Sequence, residues 1–300
     1  MRALAGFIMR GRMQAMLVVA GSAALPLLFW LSAAAGCLVL LRRGSDALGV
    51  IGLGVLSVLL FWHFNIQKDP TALLVLLGSC SLALVLRAGY SWNRVLLVSM
   101  AVGLVCAVSL GTIFSPFIEG LAQTFEQVVP LALGEVYQKL SVDQRAFLAS
   151  LAVPLLITST AISLQVFSVM CLILGRYWQA LLYNPGGFGR EFREIRIPRK
   201  VALSLLAVMF VAPFIGLHAL ILLPLCSVPL VFAGLSLIHG LVAKKKLASF
   251  WLVGMYVTLV PFMHLLGPLL MVLAIVDSLI DFRGRLASKD ADNGSANGEG

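Results

Sequence analysis

The sequence predicts an all-α protein, a bundle of transmembrane helices with about ten spans and both termini in the cytoplasm. Three observations lead there. Sixty per cent of the residues are hydrophobic and only 12% are charged, against about 25% charged in an ordinary soluble domain. The mean hydropathy is +1.01. The apolar residues also come in runs of bilayer length that are apolar on every side, where a transmembrane β-barrel would alternate with period two.

The net charge of +9 belongs to short cytoplasmic loops, which resist translocation when rich in Lys and Arg. No nucleic-acid partner is expected from it; the expected partner is the lipid bilayer. The five cysteines, Cys37, Cys80, Cys106, Cys171 and Cys226, all lie inside apolar runs and form no Cys-x-x-Cys pair. Neither a disulfide framework nor a metal site is indicated.

Taken in order, the chain opens with a basic, moderately apolar stretch, and apolar sequence then continues to Leu41, broken by Pro26. One helix there would outrun a core of about 30 Å; Leu4–Leu41 could instead form a hairpin whose first helix begins near Leu4, and the distribution of charge decides between one span and two. Within that stretch, Ala34-Ala35-Gly36-Cys37 reads as a tight helix-packing patch, because small residues let backbones approach closely. Further spans are expected at Ala47–Trp62, Thr71–Leu86, Val95–Phe114 and Phe147–Leu174. Val201–Ala243 and Leu247–Phe282 are each long enough for two, the second turning near Pro261–Pro268. Residues 1–286 make one transmembrane domain, and the polar tail 287–300 is expected to be disordered.

Between the spans, two segments stand out. Ser115–Ala146 carries Phe117, Leu121, Phe125 and Val128 at helical spacing opposite Glu119, Gln123 and Glu126. It reads as an external amphipathic helix, with a lid over an outer cavity as the sharper alternative. Gly175–Lys200 is the longest polar interruption. It holds Arg176, Arg190, Arg193, Arg196, Arg199 and Lys200 against Glu191 and Glu194. This basic loop is placed inside, where it is a candidate for docking a partner or an anionic lipid. With ten spans, 19 of the 22 basic residues fall inside, and Lys68, Lys139 and Arg145 remain outside. Nine spans, with the N-terminus outside, are the runner-up at 16 to 6. The positive-inside rule prefers ten.

No enzymatic motif is present, and no catalytic residue or cofactor is expected: there is no Walker loop, no His-Glu-x-x-His and no Gly-x-Ser-x-Gly. His63, His218 and His264 fall near span ends. Polar residues deeper in the spans cost free energy unless they face a partner or a cavity. They are Gln165, His239, Asp277 and Asp281, with Arg283 as a cation for the last two. His239 and Asp277 are expected at similar depth, within reach of each other or bridged by Arg283. An ion pair locking the last helices is weighed against a substrate or proton site.

The stretch Arg176-Tyr177-Trp178-Gln179-Ala180-Leu181-Leu182-Tyr183-Asn184-Pro185-Gly186-Gly187-Phe188, followed by Glu191-Phe192, resembles the central signature of the YybS-like bacterial membrane proteins. Phe232-Ala233-Gly234-Leu235-Ser236-Leu237-Ile238-His239-Gly240 and Asp277-Ser278-Leu279-Ile280-Asp281-Phe282-Arg283 are similar to that family's two C-terminal motifs. The family looks distantly related to the substrate-capture (S) subunits of energy-coupling-factor transporters, which are helical bundles with an outward-facing pocket under a loop lid. The resemblance implies a multi-pass protein of the bacterial inner (plasma) membrane. Its expected function is small-molecule transport, alone or as a capture subunit beside other transporter subunits. The alternative is a non-transporting scaffold that docks a partner or anionic lipid through its basic cytoplasmic loop.

Overall fold

The protein, in a computed structural model, is described over residues 1–64, 68–216, 221–248 and 250–280. It is all-helical, 88% helix, and contains no strand among those residues. The helices are α1 (Arg2–Arg10), α2 (Arg12–Ala23), α3 (Phe29–Arg43), α4 (Leu48–Phe64), α5 (Thr71–Arg87), α6 (Trp92–Gly111) and α7 (Ser115–Leu133). They continue as α8 (Glu135–Lys139), α9 (Val142–Tyr183), α10 (Gly187–Arg193), α11 (Arg199–Ile215), α12 (Leu222–Lys244), α13 (Phe250–Leu259) and α14 (Met263–Ile280). Five helical stretches are long and apolar enough to cross a membrane: Pro26–Phe64, Trp92–Gly111, Val142–Tyr183, Leu222–Lys244 and Met263–Ile280. The bent pair α1–α2 makes a sixth if counted as one span.

The hub is α3. Every residue from Ser32 to Leu41 is buried, because α2, α5 and α9 all pack against it. The small-residue patch makes that possible. A Cβ on Gly175 of α9 would lie 2.7 Å from Cys37 Cβ and 2.9 Å from the Ala34 carbonyl oxygen, and a Cβ on Gly36 would meet Leu76 and Cys80 of α5. All five cysteines are free and buried.

Side-chain contacts set the helix directions. Arg12 pairs with Asp46 at 3.3 Å, and Ser57 donates to the Ala20 carbonyl further along. Helix α4 therefore runs parallel to α2, and Pro26–Phe64 folds back on itself at Gly44–Ala47. Helix α5 runs parallel to α3, since its last residue, Arg87, donates to the carbonyls of Leu40 and Leu41. Helix α6 runs the other way along α9, with Trp92 reaching Glu191 and Gly103 facing Gln165. Helix α12 lies between α6 and α14 and touches α14 so closely that a Cβ on Gly234 would strike the Leu270 carbonyl.

Several expected boundaries move. The N-terminal hairpin does not begin near Leu4: α1 is a separate helix bent by 118° from α2, tied by Arg43 donating to the Met9 carbonyl. Helix α9 is 42 residues long, about 63 Å at 1.5 Å per residue. It absorbs both the end of the amphipathic segment and the beginning of the basic loop. A capping box starts it, with Ser141 accepting from the Gln144 amide and Gln144 reaching back. In α7, Phe117, Leu121 and Phe125 do face inward beside buried Ile118 and Ala122, but Val128 is 51% exposed. The last turn lies between Leu259 and Met263, at the Pro261 end of the expected stretch, and Pro268 sits inside α14.

Candidate functional site at the basic end of the bundle

Most of the stretch Gly175–Lys200 is not a solvated loop. Its first nine residues finish α9, where Trp178 is fully buried, and its indole N–H has no hydrogen-bond partner among the described residues. Asn184–Gly186 turn the chain, with Gly186 at φ +81°, a region that favours glycine. Helix α10 follows, and residues 194–198 then cross the end of the bundle as a strap. Ile195 and Ile197 are buried in it, and three polar side chains hold its backbone. The Ser236 hydroxyl lies 2.7 Å from the Phe192 carbonyl oxygen and 2.9 Å from that of Ile195, donating its one proton to either. Ser278 lies 2.8 Å from the Ile197 carbonyl. The Arg196 amide donates to Asn93 at 3.0 Å.

The expected basic residues divide. Arg176 grips Glu191 through both Nε and Nη2, and its third nitrogen donates to Gln179 at 3.0 Å. Glu191 also accepts from the Trp92 indole at 3.3 Å. Arg196 lies 3.8 Å from the Asp277 carboxylate and donates to its backbone carbonyl at 2.8 Å. Arg193 is half-buried, and its Nε donates to the Gly189 carbonyl. Arg190, Arg199 and Lys200 are exposed.

Around the Arg176–Glu191 clasp opens a cleft of about 700 Å³. Arg87, Trp92, Asn93 and Gln179 line it with the clasp itself, and exposed Tyr90 and Glu194 stand at its rim. The lining carries two arginines and two glutamates, so its net charge is zero and its chemistry is that of a mixed hydrogen-bonding surface with aromatic walls. A second groove of about 420 Å³ lies between Arg193 and Gly240–Lys244. At the opposite end, a pocket of about 70 Å³ sits between Ala23, Phe29 and Trp62.

The candidate intramembrane polar residues are placed as follows. Gln165 is fully buried and ties three helices: its Nε2 donates to Ser99 Oγ of α6 at 3.0 Å and to the Leu225 carbonyl of α12 at 3.3 Å. That carbonyl lacks its usual helical donor, because Pro229 four residues on has no N–H. Gln165 Oε1 is buried without a hydrogen-bond partner among the described residues. His239 and Asp277 lie on neighbouring helices and reach toward different groups. The His239 ring meets the Leu235 carbonyl, the Tyr256 hydroxyl at 3.3 Å and the Phe192 ring, while Asp277 takes Arg196. Asp281, Arg283, His218 and the tail 287–300 lie outside the described residues. Among the described residues no cluster of His, Cys, Asp or Glu could hold a metal.

Sequence reasoning placed Arg87 on the inner side with the basic stretch but gave no site role to Arg87, Trp92, Asn93, Gln179 or the two buried serines. Three stretches singled out in the sequence all reach this end, through Arg176–Phe192, Ser236–His239 and Asp277–Ser278, and they are the signal that could have found Gln179 and the serines. No known protein family, curated protein or solved structure matches the chain.

Proposed function

We propose that the protein is a YybS-like, multi-pass protein of the bacterial inner membrane that serves as a docking scaffold for a cytoplasmic partner. In this reading α2, α3, α4, α5, α6, α9, α11, α12, α13 and α14 are ten spans, and the basic end with both termini faces the cytoplasm. The alternating helix directions and the arginines gathered at one end support that orientation. The observation that carries the function is the cleft of about 700 Å³ at the basic end, over a bundle whose middle is filled at Gln165. Arg176, Glu191, Gln179 and Trp92 satisfy one another, so the cleft holds its shape without a ligand. Tyr90, Ser91 and Glu194 remain at its rim for a polar segment of the partner.

Transport is the second reading, and cleft size favours it, since small-molecule sites run to about 300–1,000 Å³. Native mass spectrometry of the gently extracted full chain separates the two. A stoichiometric protein subunit that is lost from Glu194→Lys or Tyr90→Ala supports the scaffold. A co-purifying small molecule lost from the same variants supports transport. Wild-type protein that carries neither from native membranes overturns both.

A further inference from the structure

Helix α1 lies across the basic end of the bundle rather than along it. The bend of 118° turns it away from the direction of α2, and it packs against α2, α3 and α9. Two ties fix its level. Arg43, the last residue of α3, donates to the Met9 carbonyl at 3.2 Å. Arg12, the first residue of α2, pairs with Asp46 at 3.3 Å, in the turn between α3 and α4. One apolar helix ends at that turn and the next begins there, so α1 sits where the chain leaves the hydrocarbon.

The two faces of α1 differ. Ala5 and Ile8 are buried against the bundle, with Leu4 and Met9 half-buried beside them. Ala3, Phe7 and Arg10 recur at i, i+4 and i+7, which puts them on the outward face, and they are exposed, as is Arg2. Arg12 has Asp46, but among the described residues neither the Arg2 nor the Arg10 side chain has a hydrogen bond, an ion pair or a ring contact. Just past the bend, Met13 and Leu17 stand one turn apart on α2 and are 75% and 68% exposed. Free guanidinium groups at headgroup level, next to bare apolar side chains, match the two parts of an anionic phospholipid.

We propose that α1 is an interfacial helix that gathers anionic phospholipid. Arg2 and Arg10 hold phosphodiester headgroups, and acyl chains lie along Phe7, Met13 and Leu17. Helices in the membrane interface combine basic and apolar side chains in this way, and each basic residue near an anionic surface favours it roughly five-fold. The inference rests on the reading that this end meets a membrane face. It does not depend on which face is cytoplasmic or on a docked partner, so it and the scaffold reading fail separately.

The test is fluorescence quenching of the full chain in phosphatidylcholine nanodiscs. A bimane label is attached at Gly6→Cys on α1, where nothing lies within 4 Å of a Cβ; the five native cysteines are buried. The nanodiscs carry equal fractions of either brominated phosphatidylglycerol or brominated phosphatidylcholine. With both arginines present, the phosphatidylglycerol quenches more strongly, and the preference falls roughly five-fold for each arginine removed. Arg2→Gln/Arg10→Gln brings quenching down to the phosphatidylcholine level, whereas Arg190→Gln/Arg199→Gln keeps the preference. Thermal unfolding checks that both variants are folded. If Arg2→Gln/Arg10→Gln unfolds, Arg10→Gln alone and high salt on the unsubstituted arginines take its place, and a preference undiminished by both overturns the proposal. Equal quenching by the two lipids with both arginines present overturns it, as does quenching by neither, or a folded double variant that keeps the preference.

Discussion

A proline decides what Gln165 does. Pro229 leaves the Leu225 carbonyl without a helical donor in the middle of the bundle, where no water can replace it. Gln165 Nε2 fills that vacancy and binds Ser99 as well. Gln165→Leu should lower stability by about 1–2 kcal/mol, the scale of a buried hydrogen bond whose acceptor is then left unpaired. Pro229→Ala returns the N–H, so in that background the cost of Gln165→Leu should fall by at least half. A double-mutant cycle in thermal unfolding measures the coupling; strictly additive losses would show that Gln165 does not serve Leu225. The clasp at the basic end is tested in a related way. Glu191→Gln keeps the shape but removes the charge from a group whose partner, Arg176, is only 17% exposed. The expected loss is about 1–3 kcal/mol, discounted for the part of the pair that water still reaches. An unchanged melting temperature would mean that solvent already screens the clasp.

Among the elements, the strap 194–198 and helix α9 depart furthest from a plain sequence reading. In the strap Ile195 and Ile197 are buried in the bundle, and Pro198 stands just before the first residue of α11. Pro198 suits that position because its fixed φ and missing N–H do no harm there. Ile197→Ala should therefore cost about 2–4 kcal/mol by cavity formation, while Arg199→Ala, two residues on and exposed, should change stability by less than about 0.5 kcal/mol. Equal melting temperatures for the two variants would place the wrong residue inside. Helix α9 is about twice the thickness of a bilayer core. Its first third, with Asp143, Gln144 and Arg145, extends beyond the region where α3, α5 and α6 surround it. Arg145 anchors the turn into α9 by donating to the Gln138 carbonyl at 2.8 Å and lying over the Tyr137 ring.

At the scale of the whole molecule, Arg145 lies at one end, and most of the described arginines gather with their partners at the other. Arg12 with Asp46, Arg42 over Tyr183, Arg43 with Met9, Arg87 with Leu40 and Leu41, Arg176 with Glu191 and Arg196 with Asp277 all belong to it. If that end is cytoplasmic, Gly189→Cys should resist an impermeant maleimide in intact cells and react after permeabilisation. Gln138→Cys should react in both. Gly189 suits the experiment because nothing lies within 4 Å of a Cβ built there, and the five native cysteines are buried. Labelling of Gly189→Cys with protection of Gln138→Cys in intact cells would invert the topology.

By itself the sequence determined that the chain is helical and built for a membrane, because a low-charge chain with bilayer-length apolar runs must satisfy its backbone within each helix. It also marked which residues collect at one end, since basic side chains sort by the cost of crossing lipid, and it picked out Ala34–Cys37 as a place of close packing. Only the tertiary structure decided what the polar residues do. Arg176 and Arg190 look alike in sequence, yet one is clasped by Glu191 and Trp92 and the other is exposed. Ser236 and Ser278 carry no mark of a role in the sequence, yet their hydroxyls reach the Ile195 and Ile197 carbonyls of the strap. His239 and Asp277 share a depth, but side-chain direction turns one toward Tyr256 and the other toward Arg196. Charge and hydropathy act along the chain and can be read from it. Hydrogen bonds between residues as far apart as Trp92 and Glu191 depend on the rotation of each helix about its axis, and that rotation is settled only when the helices pack.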